Sequence, residues 1–411
     1  MELSRIAFKH GYFKLSAGFP LSVRLGSMRR VAIIGVGCTK VGEFWDKSLR
    51  DLAVEAAWKA LDQAGVSKVE ALYVGSALCQ LVQGQGNLGA LIADSLSLYG
   101  IEVLSIEASD ASGALALHEA CMAVGSGEVK LALAVGVDKP SDASSADVSK
   151  ALMAGVEQEY LAYTGVNVRG LAALLHKLYR ERFKVSHEEI AAMAVNSHLH
   201  ASSNPYAQYK SRITVEQILK SPVVADPLRL LEVSSLGDGA AAVLLCPLEK
   251  ADSYAGMPVE VAGMASASGD FILTEAEDML SFRATKLAAE KAYRRAGITV
   301  KDVDLVEVHD SADVVGLISL EDLGLAERGE AARMAASGEL AVKGSLPTNT
   351  MGGLKARGNP GGATSLYQIV EICWQLRGEA GGNQVSNARV GVAQSLGGLY
   401  SLATVTVLRR V

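Results

Sequence analysis

The sequence predicts a mixed α/β fold built from two similar halves. Short apolar runs that indicate buried strands alternate with longer segments whose apolar residues recur at helical spacing. The pattern then repeats: residues 259–263 match residues 31–35, residues 292–298 match residues 60–66, and residues 304–308 match residues 71–75. Continuous apolar strands between helices are typical of a mostly parallel sheet covered on both faces, so we expect duplicated α/β units around such a sheet.

The first half, residues 29–255, begins with a strand at residues 31–37. A helix predicted over residues 49–64 ends at Gly65, a good C-terminal stop. A strand at residues 71–75, a helix at residues 87–99 and a strand at residues 103–106, which we expect to be buried, follow. The next turn carries Asp110 and leads into a helix rich in Ala and Leu, and a fully buried strand follows at residues 131–137.

Residues 138–225 break this rhythm and are predicted to be an insertion laid over the sheet, with helices at residues 171–183 and 187–200. A strand at residues 238–246 then completes the first half. The second half spans residues 256–411, and its glycine-rich turn at residues 352–362 occupies the place of the Asp110 turn. Residues 1–28 have no signal-peptide pattern, so they are interpreted as an N-terminal arm or as a start site assigned upstream of Met28.

The composition excludes several classes of partner. The 411 residues carry a formal net charge of −6, with 49% hydrophobic and 20% charged residues, and no block of like charge appears. We therefore expect no nucleic-acid partner, and no apolar run is long enough for a membrane span. The five cysteines have no CxxC spacing, which favours unpaired thiols in the cytoplasm over disulfides or a metal site.

Four turns hold the candidate functional residues. Asp110 lies at a strand-to-helix junction, where free N–H groups and the helix dipole favour an anion or a thiol of lowered pKa. The second turn, residues 308–312, carries His309 and Ser311. The third, residues 352–364, carries Asn359 among glycines, and the fourth is residues 392–398. In a duplicated fold these turns meet at the junction of the halves.

In order and spacing the four turns resemble the catalytic blocks of the thiolase superfamily, in particular the sterol-carrier-protein-type and archaeal thiolases, over residues 29–411. The resemblance implies a five-layer αβαβα body with an inserted loop domain, and acetyl-CoA C-acyltransferase-like chemistry on acyl-CoA. It implies substrate contacts from Gly353, Lys355 and Gly397, coenzyme A as substrate or ligand with no other cofactor, and no metal. It also implies a homodimer or higher oligomer and a small OB-fold partner protein that holds CoA.

The departures from that pattern are specific. Thiolases of this type carry a nucleophilic Cys where this chain has Asp110, and commonly an acid/base Cys where it has Ser311. Their Gly-His-Pro motif supplies a base where this chain has Asn359, whereas His309 is retained. A carboxylate is a poor substitute for a thiolate, and an amide cannot accept the proton. We therefore expect no ordinary thiolysis.

Several interpretations stay open. Asp110 either caps the following helix or takes part in the chemistry. His309 is either a core residue whose hydrogen bonds are satisfied or a hydrogen-bond donor to an oxyanion. Asn359 either serves the turn or donates a hydrogen bond to a carbonyl oxygen. His198 and His200 are expected at the surface. For the whole chain the alternatives are a non-catalytic subunit of a thiolase complex, an altered acyltransferase, thioesterase or decarboxylase acting on CoA esters, and an ordinary thiolase with its nucleophile elsewhere.

Overall fold

A computed structural model describes residues 28–411, so the N-terminal arm predicted at residues 1–28 lies, except for Met28, outside the described residues. The strands of the main sheet are β1 (Val31–Cys38), β2 (Ala71–Gly75), β3 (Glu102–Ile106), β4 (Ala132–Asp138), β7 (Gly239–Pro247), β8 (Val259–Ser268), β9 (Leu305–Glu307), β10 (Val390–Gly397) and β11 (Leu402–Arg410); β5 (Val223–Ala225) and β6 (Leu228–Arg229) form a separate pair.

The helices fall into three groups. Those of the first half are α1 (Leu49–Ala64), α2 (Cys79–Val82), α3 (Leu88–Ser95) and α4 (Ser112–Ser126). Those of the insertion are α5 (Ser145–Leu152), α6 (Val168–Phe183), α7 (His187–Ala201) and α8 (Val215–Lys220). Those of the second half are α9 (Arg283–Ala296), α10 (Asp313–Asp322), α11 (Ala331–Ser337) and α12 (Thr364–Arg377). Within residues 28–411, no helix has the length and apolarity that crossing a membrane requires.

The strand order makes the internal duplication visible. The nine strands run β3-β2-β4-β7-β1-β8-β11-β10-β9, so β2-β4-β7-β1 in the first half corresponds to β9-β10-β11-β8 in the second. In each set the first pair is parallel and the next two pairs are antiparallel. The two sets join at β1 and β8, where Ala32 pairs with Glu260 and Ile33 with Val259. The same motif therefore occurs twice.

The apolar core is layered as the duplicated fold predicts. One buried cluster joins α1 and α3 to one face of the first set of strands, and another joins α9 and α10 to the second set. Between them, α4 and α12 pack on each other and on strands of both sets. This arrangement confirms the predicted α/β architecture, with its two central helices between two sheet regions and helices outside both.

Local sequence signals explain where α1 and the two central helices begin and end. Ser48 and Asp51 form a capping box at the start of α1, and Gly65 closes it in the left-handed conformation, as the sequence predicts. Both α4 and α12 follow a single 3₁₀ turn, Ser109–Ala111 and Gly361–Ala363 respectively. The first residues of the two helices meet, because the Oγ of Ser365 accepts a hydrogen bond from the amide of Ala114 at 2.8 Å.

Three expectations are corrected. The sheet is mixed and not mostly parallel, because β7 and β11 return antiparallel between their neighbours. Strand β3 lies at the sheet edge and is largely exposed, since only β2 pairs with it among the described residues. The prediction from its apolar run that this strand is buried is therefore wrong. His198 and His200 are buried, with Nδ1 atoms 2.8 and 3.0 Å from the carbonyl oxygens of Ser211 and Asn349.

Candidate active site

A cleft of about 870 Å³ opens where the two halves and the insertion meet. All four predicted turns contribute residues to its lining. These are Asp110, His309, Ser311 and Asn359, together with Leu396 and residues 398–400. The insertion adds residues 148, 149, 151–156 and 167–169 to the lining. Trp45 and Leu81 also line the cleft and are 77% and 56% exposed. The cleft is therefore a composite of sequence-distant segments.

Asp110 and Asn359, from opposite halves, are in direct contact. The side-chain amide of Asn359 donates a hydrogen bond to Oδ2 of Asp110 at 2.9 Å, and Nε2 of His309 lies 3.7 Å from the same oxygen. The carboxyl side chain is 15% exposed and the imidazole 4%. The three residues that were predicted to lie together therefore meet at Oδ2 of Asp110, which both Asn359 and His309 approach.

The carboxyl group of Asp110 does not cap the helix that follows. Within residues 28–411, no side chain caps helix α4, and the hydroxyl of Ser112 instead accepts the amide of Ala108 and donates to the carbonyl of Ser109. The N-cap interpretation of Asp110 is therefore wrong, because a serine two residues later organises the turn. The carboxylate is free to face the cleft.

Burial shifts both ionisable groups toward their neutral forms. It raises the pKa of Asp110 to about 6, against the opposing effect of the Asn359 hydrogen bond. Burial also lowers the pKa of His309 to about 3, and the nearby guanidinium of Arg357 adds to this effect. Because His309 is neutral near pH 7, its contact with Asp110 is not an ion pair. The site holds a titratable carboxyl beside a neutral imidazole.

The backbone around Asn359 and Ser311 is fixed by one segment, residues 233–237, which also lines the cleft. The amide of Ser234 donates to the carbonyl of Ser311 at 2.9 Å, and the amide of Asn359 donates to the carbonyl of Ser235 at 2.9 Å. The amide of Gly237 donates to the carbonyl of Asn359 at 3.1 Å. The second and third turns are therefore attached to the same strip of backbone.

Two supporting residues were not singled out from the sequence. Gln394 lies in strand β10, which occupies most of the turn predicted at residues 392–398. Its side chain accepts the backbone N–H of His309 at 3.0 Å and donates to Oγ1 of Thr285. Asp138, which ends the buried strand β4, accepts hydrogen bonds from Ser76, from the amides of residues 77 and 78 and from the amide of Gly362. A charged residue at the end of an apolar strand was the available signal for Asp138.

The three predicted substrate contacts lie outside the cleft lining. Gly353 has a φ of +59° and packs on Asp310, whose Oδ2 lies 2.2 Å from where a Cβ would be. Lys355 is buried, and its pKa is lowered by burial against the opposing effect of Asp313. Gly397 packs on the carbonyl of Ala108. In this structure they shape the turns, and their contact with substrate stays a prediction.

None of the cysteines offers an alternative thiolate. All five are unpaired, and Cys79 is the one that reaches the cleft lining. Its thiol donates to the carbonyl of Gln85, and burial raises its pKa. Burial also raises the pKa of Cys38, and raises the pKa of Cys121, Cys246 and Cys373 to about 12. Thiolate chemistry at neutral pH is therefore disfavoured at every cysteine.

The arrangement supports acid–base and electrostatic chemistry. A carboxyl with a pKa near 6 can exchange a proton at neutral pH, whereas His309 and Asn359 can donate hydrogen bonds to a carbonyl oxygen without carrying charge. Away from the cleft, the structure also brings together His176, His187 and Glu232, a set that the sequence spacing did not reveal.

Comparison with known proteins agrees with this fold. The family model described as "Thiolase, N-terminal domain" matches residues 31–249, and "Thiolase C-terminal domain-like" matches residues 265–410. An acetyl-CoA acetyltransferase of Methanothermobacter thermautotrophicus is 42% identical over 93% of this chain and 100% of that protein. Sterol carrier protein 2 of Gallus gallus is 33% identical over 90% of this chain and 70% of that protein.

A solved structure shares the fold at low identity. The Ltp2-ChsH2(DUF35) aldolase superposes with a TM-score of 0.80 at 22% identity, covering 93% of this chain and 98% of that one. Two family models that together span most of the chain, with a duplicated α/β body and a composite cleft at its junction, define a thiolase-type protein. The chain belongs to the thiolase family.

Proposed function

We propose that this chain binds acyl-CoA and is acetyl-CoA C-acyltransferase-like in ancestry, but has a degenerate site that does not perform ordinary thiolysis. The observation that carries the proposal is the 2.9 Å hydrogen bond between Asn359 and Asp110. Thiolysis needs a thiolate that attacks a carbonyl and a base that activates it. Here a carboxyl and an amide face each other, and the amide has no proton-accepting nitrogen near neutral pH.

Binding of a CoA ester is supported by the size and lining of the cleft. About 870 Å³ is within the range of small-molecule sites, and the lining combines apolar residues of the insertion with polar groups at the bottom. His309 and Asn359 would donate to the thioester oxygen, and Ser311 lies in the same wall. We assign Asp110 to the position of the nucleophile without assigning it nucleophilic attack.

The same geometry favours altered chemistry on CoA esters as a second candidate function. Burial keeps Asp110 partly protonated near pH 6, and the neutral His309 beside it adds no charge. A carboxyl of this kind suits proton transfer to or from a bound ester, as a thioesterase, a decarboxylase or an acyl transfer without an acyl-enzyme would require. This candidate and the non-catalytic one share the binding step and differ in turnover.

A non-catalytic role within a complex is the third candidate, and exposed surface supports partners. Strand β3 is an edge strand of the sheet that residues 28–411 form, with Leu104 45% exposed, and Met122 of α4 is 43% exposed. We propose that this edge pairs two copies in a homodimer. The Ltp2-ChsH2(DUF35) aldolase is named for two components, which supports a proposed OB-fold CoA-binding partner here. The unpaired cysteines support a cytoplasmic location.

Intact-mass analysis after incubation with acetyl-CoA, combined with an acetoacetyl-CoA thiolysis assay, tests the proposal. We expect binding of free CoA by calorimetry, no covalent acetyl adduct and no thiolysis above the uncatalysed rate. A stable adduct mapped to one of the five cysteines would overturn the proposal, since it would reveal a nucleophile elsewhere. Turnover of a CoA ester without an adduct would favour the second candidate.

A further inference from the structure

Three side chains from different elements converge in the insertion, away from the Asp110 carboxyl. His176 comes from α6, His187 is the first residue of α7, and Glu232 ends a 3₁₀ turn that precedes the cleft wall. Their nitrogen and oxygen atoms all lie within 4.8 Å of one another. Glu232 and His176 are fully buried, whereas the side chain of His187 is 14% exposed.

The distances match a metal site. Nε2 of His187 lies 2.9 Å from both carboxylate oxygens of Glu232, and Nε2 of His176 lies 3.3 Å from Oε1. Two ligand atoms at tetrahedral positions around zinc, with bonds of about 2.0–2.1 Å, are separated by about 3.3 Å. The backbone amide of Arg229 donates to Oε2 of Glu232 at 2.8 Å, which turns Oε1 toward both imidazoles.

Hydrogen bonding alone leaves the cluster incomplete. His187 can donate one N–H to Glu232. Within residues 28–411, neither ring nitrogen of His176 makes a well-aligned hydrogen bond, because the 3.3 Å approach of its Nε2 to Oε1 of Glu232 is poorly directed, although the residue has no exposed surface. Leaving a buried polar group unpaired is costly, and native structures do so rarely. Coordination to a cation would satisfy Nε2 of His176 directly.

We propose that His176, His187 and Glu232 bind one divalent transition-metal ion, and that zinc suits the site best. Imidazole and carboxylate are ligands that zinc accepts, and a water reaching the cluster past His187 would complete a four-coordinate shell. This inference does not rest on the proposed function of the cleft.

The position of Glu232 gives the ion a positioning role. Glu232 immediately precedes residues 233–237, the backbone strip that bonds to Ser311 and Asn359. An ion bound by residues of α6 and α7 and by Glu232 would link these helices of the insertion to residues 233–237. In this position the ion would act on Ser311 and Asn359 only through the backbone of residues 233–237.

Metal binding by the purified, tag-free full chain tests the proposal. The protein is stripped with EDTA, dialysed and titrated with ZnCl2 against a chromophoric chelator, and metal content is measured by mass spectrometry. We expect about one zinc per chain, and a cobalt-substituted sample with visible bands of tetrahedral coordination. Wild-type protein that retains no zinc above the dialysis buffer would overturn the site.

Variants separate this cluster from surface binding. His187→Gln keeps the capping box of α7, formed by Ser186 and Glu189, and should weaken zinc binding at least about tenfold. His118→Gln, on a partly exposed histidine of α4, should leave binding unchanged. Equal zinc affinity in wild type and His187→Gln would contradict the assignment. Circular dichroism of His187→Gln checks that the variant folds.

Hydrogen exchange tests the positioning role. Zinc should slow amide exchange at Ser234 and Asn359 in wild type and leave their exchange unchanged in His187→Gln. Zinc that binds in wild type without slowing these amides would overturn the link to the cleft wall.

Discussion

The carboxyl of Asp110 and the amide of Asn359 meet across the junction of the two halves, 2.9 Å apart. Asp110 lies within the 3₁₀ turn that precedes α4, and Asn359 lies two residues before the turn that precedes α12. The hydrogen bond uses one of the two N–H groups of the amide and one of the two carboxyl oxygens. It also leaves Oδ1 of Asn359 buried with no hydrogen-bond partner in the described part of the chain. A bound ligand that offers a donor near this oxygen would satisfy it, and a bound carbonyl can accept the second N–H of the amide.

Restoring the thiolase pair should restore activity. Asp110→Cys combined with Asn359→His supplies a nucleophile and a base at the two positions that already touch, so we expect measurable acetoacetyl-CoA thiolysis. Each single variant should be at least about a hundredfold slower than the double variant, because a nucleophile without its base loses that factor. Steady-state rates of all three variants make the comparison. Activity of Asp110→Cys alone equal to that of the pair would contradict the role of position 359.

Removing the charge from position 110 should stabilise the folded chain at neutral pH. Folding raises the pKa of Asp110 to about 6, above its ordinary value, so wild-type stability falls as pH rises from about 4 to about 6. Asp110→Asn keeps an acceptor for Asn359 and does not titrate. Above pH 6 it should therefore be more stable by about 3 kcal/mol, with the gain absent near pH 4. Urea unfolding at both pH values measures the difference.

A control with the opposite sign is available in Asp302. Hydrogen bonds from the backbone and side chain of Thr299 lower the pKa of this exposed carboxyl. The contribution of the Asp302 carboxylate to folding stability is thus present at neutral pH and lost in acid. Asp302→Asn should destabilise the chain at pH 7 and have little effect in acid. If Asp110→Asn and Asp302→Asn both made the chain more stable at pH 7, burial of Asp110 would not be the cause of the effect.

Adding one methyl group at Gly113 should destabilise the junction. A Cβ there would lie 2.7 Å from the carbonyl oxygen of Gly362 and 2.9 Å from Oγ of Ser365, which brings the starts of α4 and α12 into collision. Gly113→Ala should cost about 1–3 kcal/mol in the free energy of unfolding, as overpacking does. Gly86→Ala is the matched control, since a Cβ at Gly86 has open space around it. Equal effects of the two variants would refute the close packing.

Free CoA should stabilise the protein by mass action. At a hundredfold excess over the dissociation constant the gain is about 2.7 kcal/mol, visible as a rise in Tm. Arg169 lines the cleft and is exposed, so Arg169→Met should weaken binding roughly 3- to 10-fold through loss of a phosphate contact. Arg212→Met, outside the cleft lining, should bind CoA as wild type does. No thermal shift with CoA at millimolar concentration would contradict a retained CoA site.

The sequence predicted the features that local signals determine. Helix α1 spans the predicted residues 49–64 and ends at Gly65 as predicted, and the duplicated pattern of apolar runs anticipated the repeated strand order. The sequence also predicted that Asp110, His309 and Asn359 meet, because each lies in a turn that a duplicated fold places at the junction of its halves and that resembles a catalytic block of the thiolases. These predictions rest on spacing along the chain.

What the sequence did not reveal depends on contacts between distant segments. An apolar run cannot distinguish a central strand from the exposed edge strand β3, since the difference lies in which neighbours pair with it. Asp110 was compatible with an N-cap until the structure showed that no side chain caps α4 within residues 28–411 and that the hydroxyl of Ser112 organises the turn. His176, His187 and Glu232 have no motif spacing, because three separate elements supply them.

The close approach of Gly113 to Gly362 joins the two turns that present Asp110 and Asn359. The turns touch through backbone and a serine hydroxyl, so the frame that aims positions 110 and 359 at each other is built from atoms that neither side chain supplies. We therefore expect the frame to accept a different pair of side chains at these positions. The chemistry of the two facing residues would then change while the backbone around them stays the same.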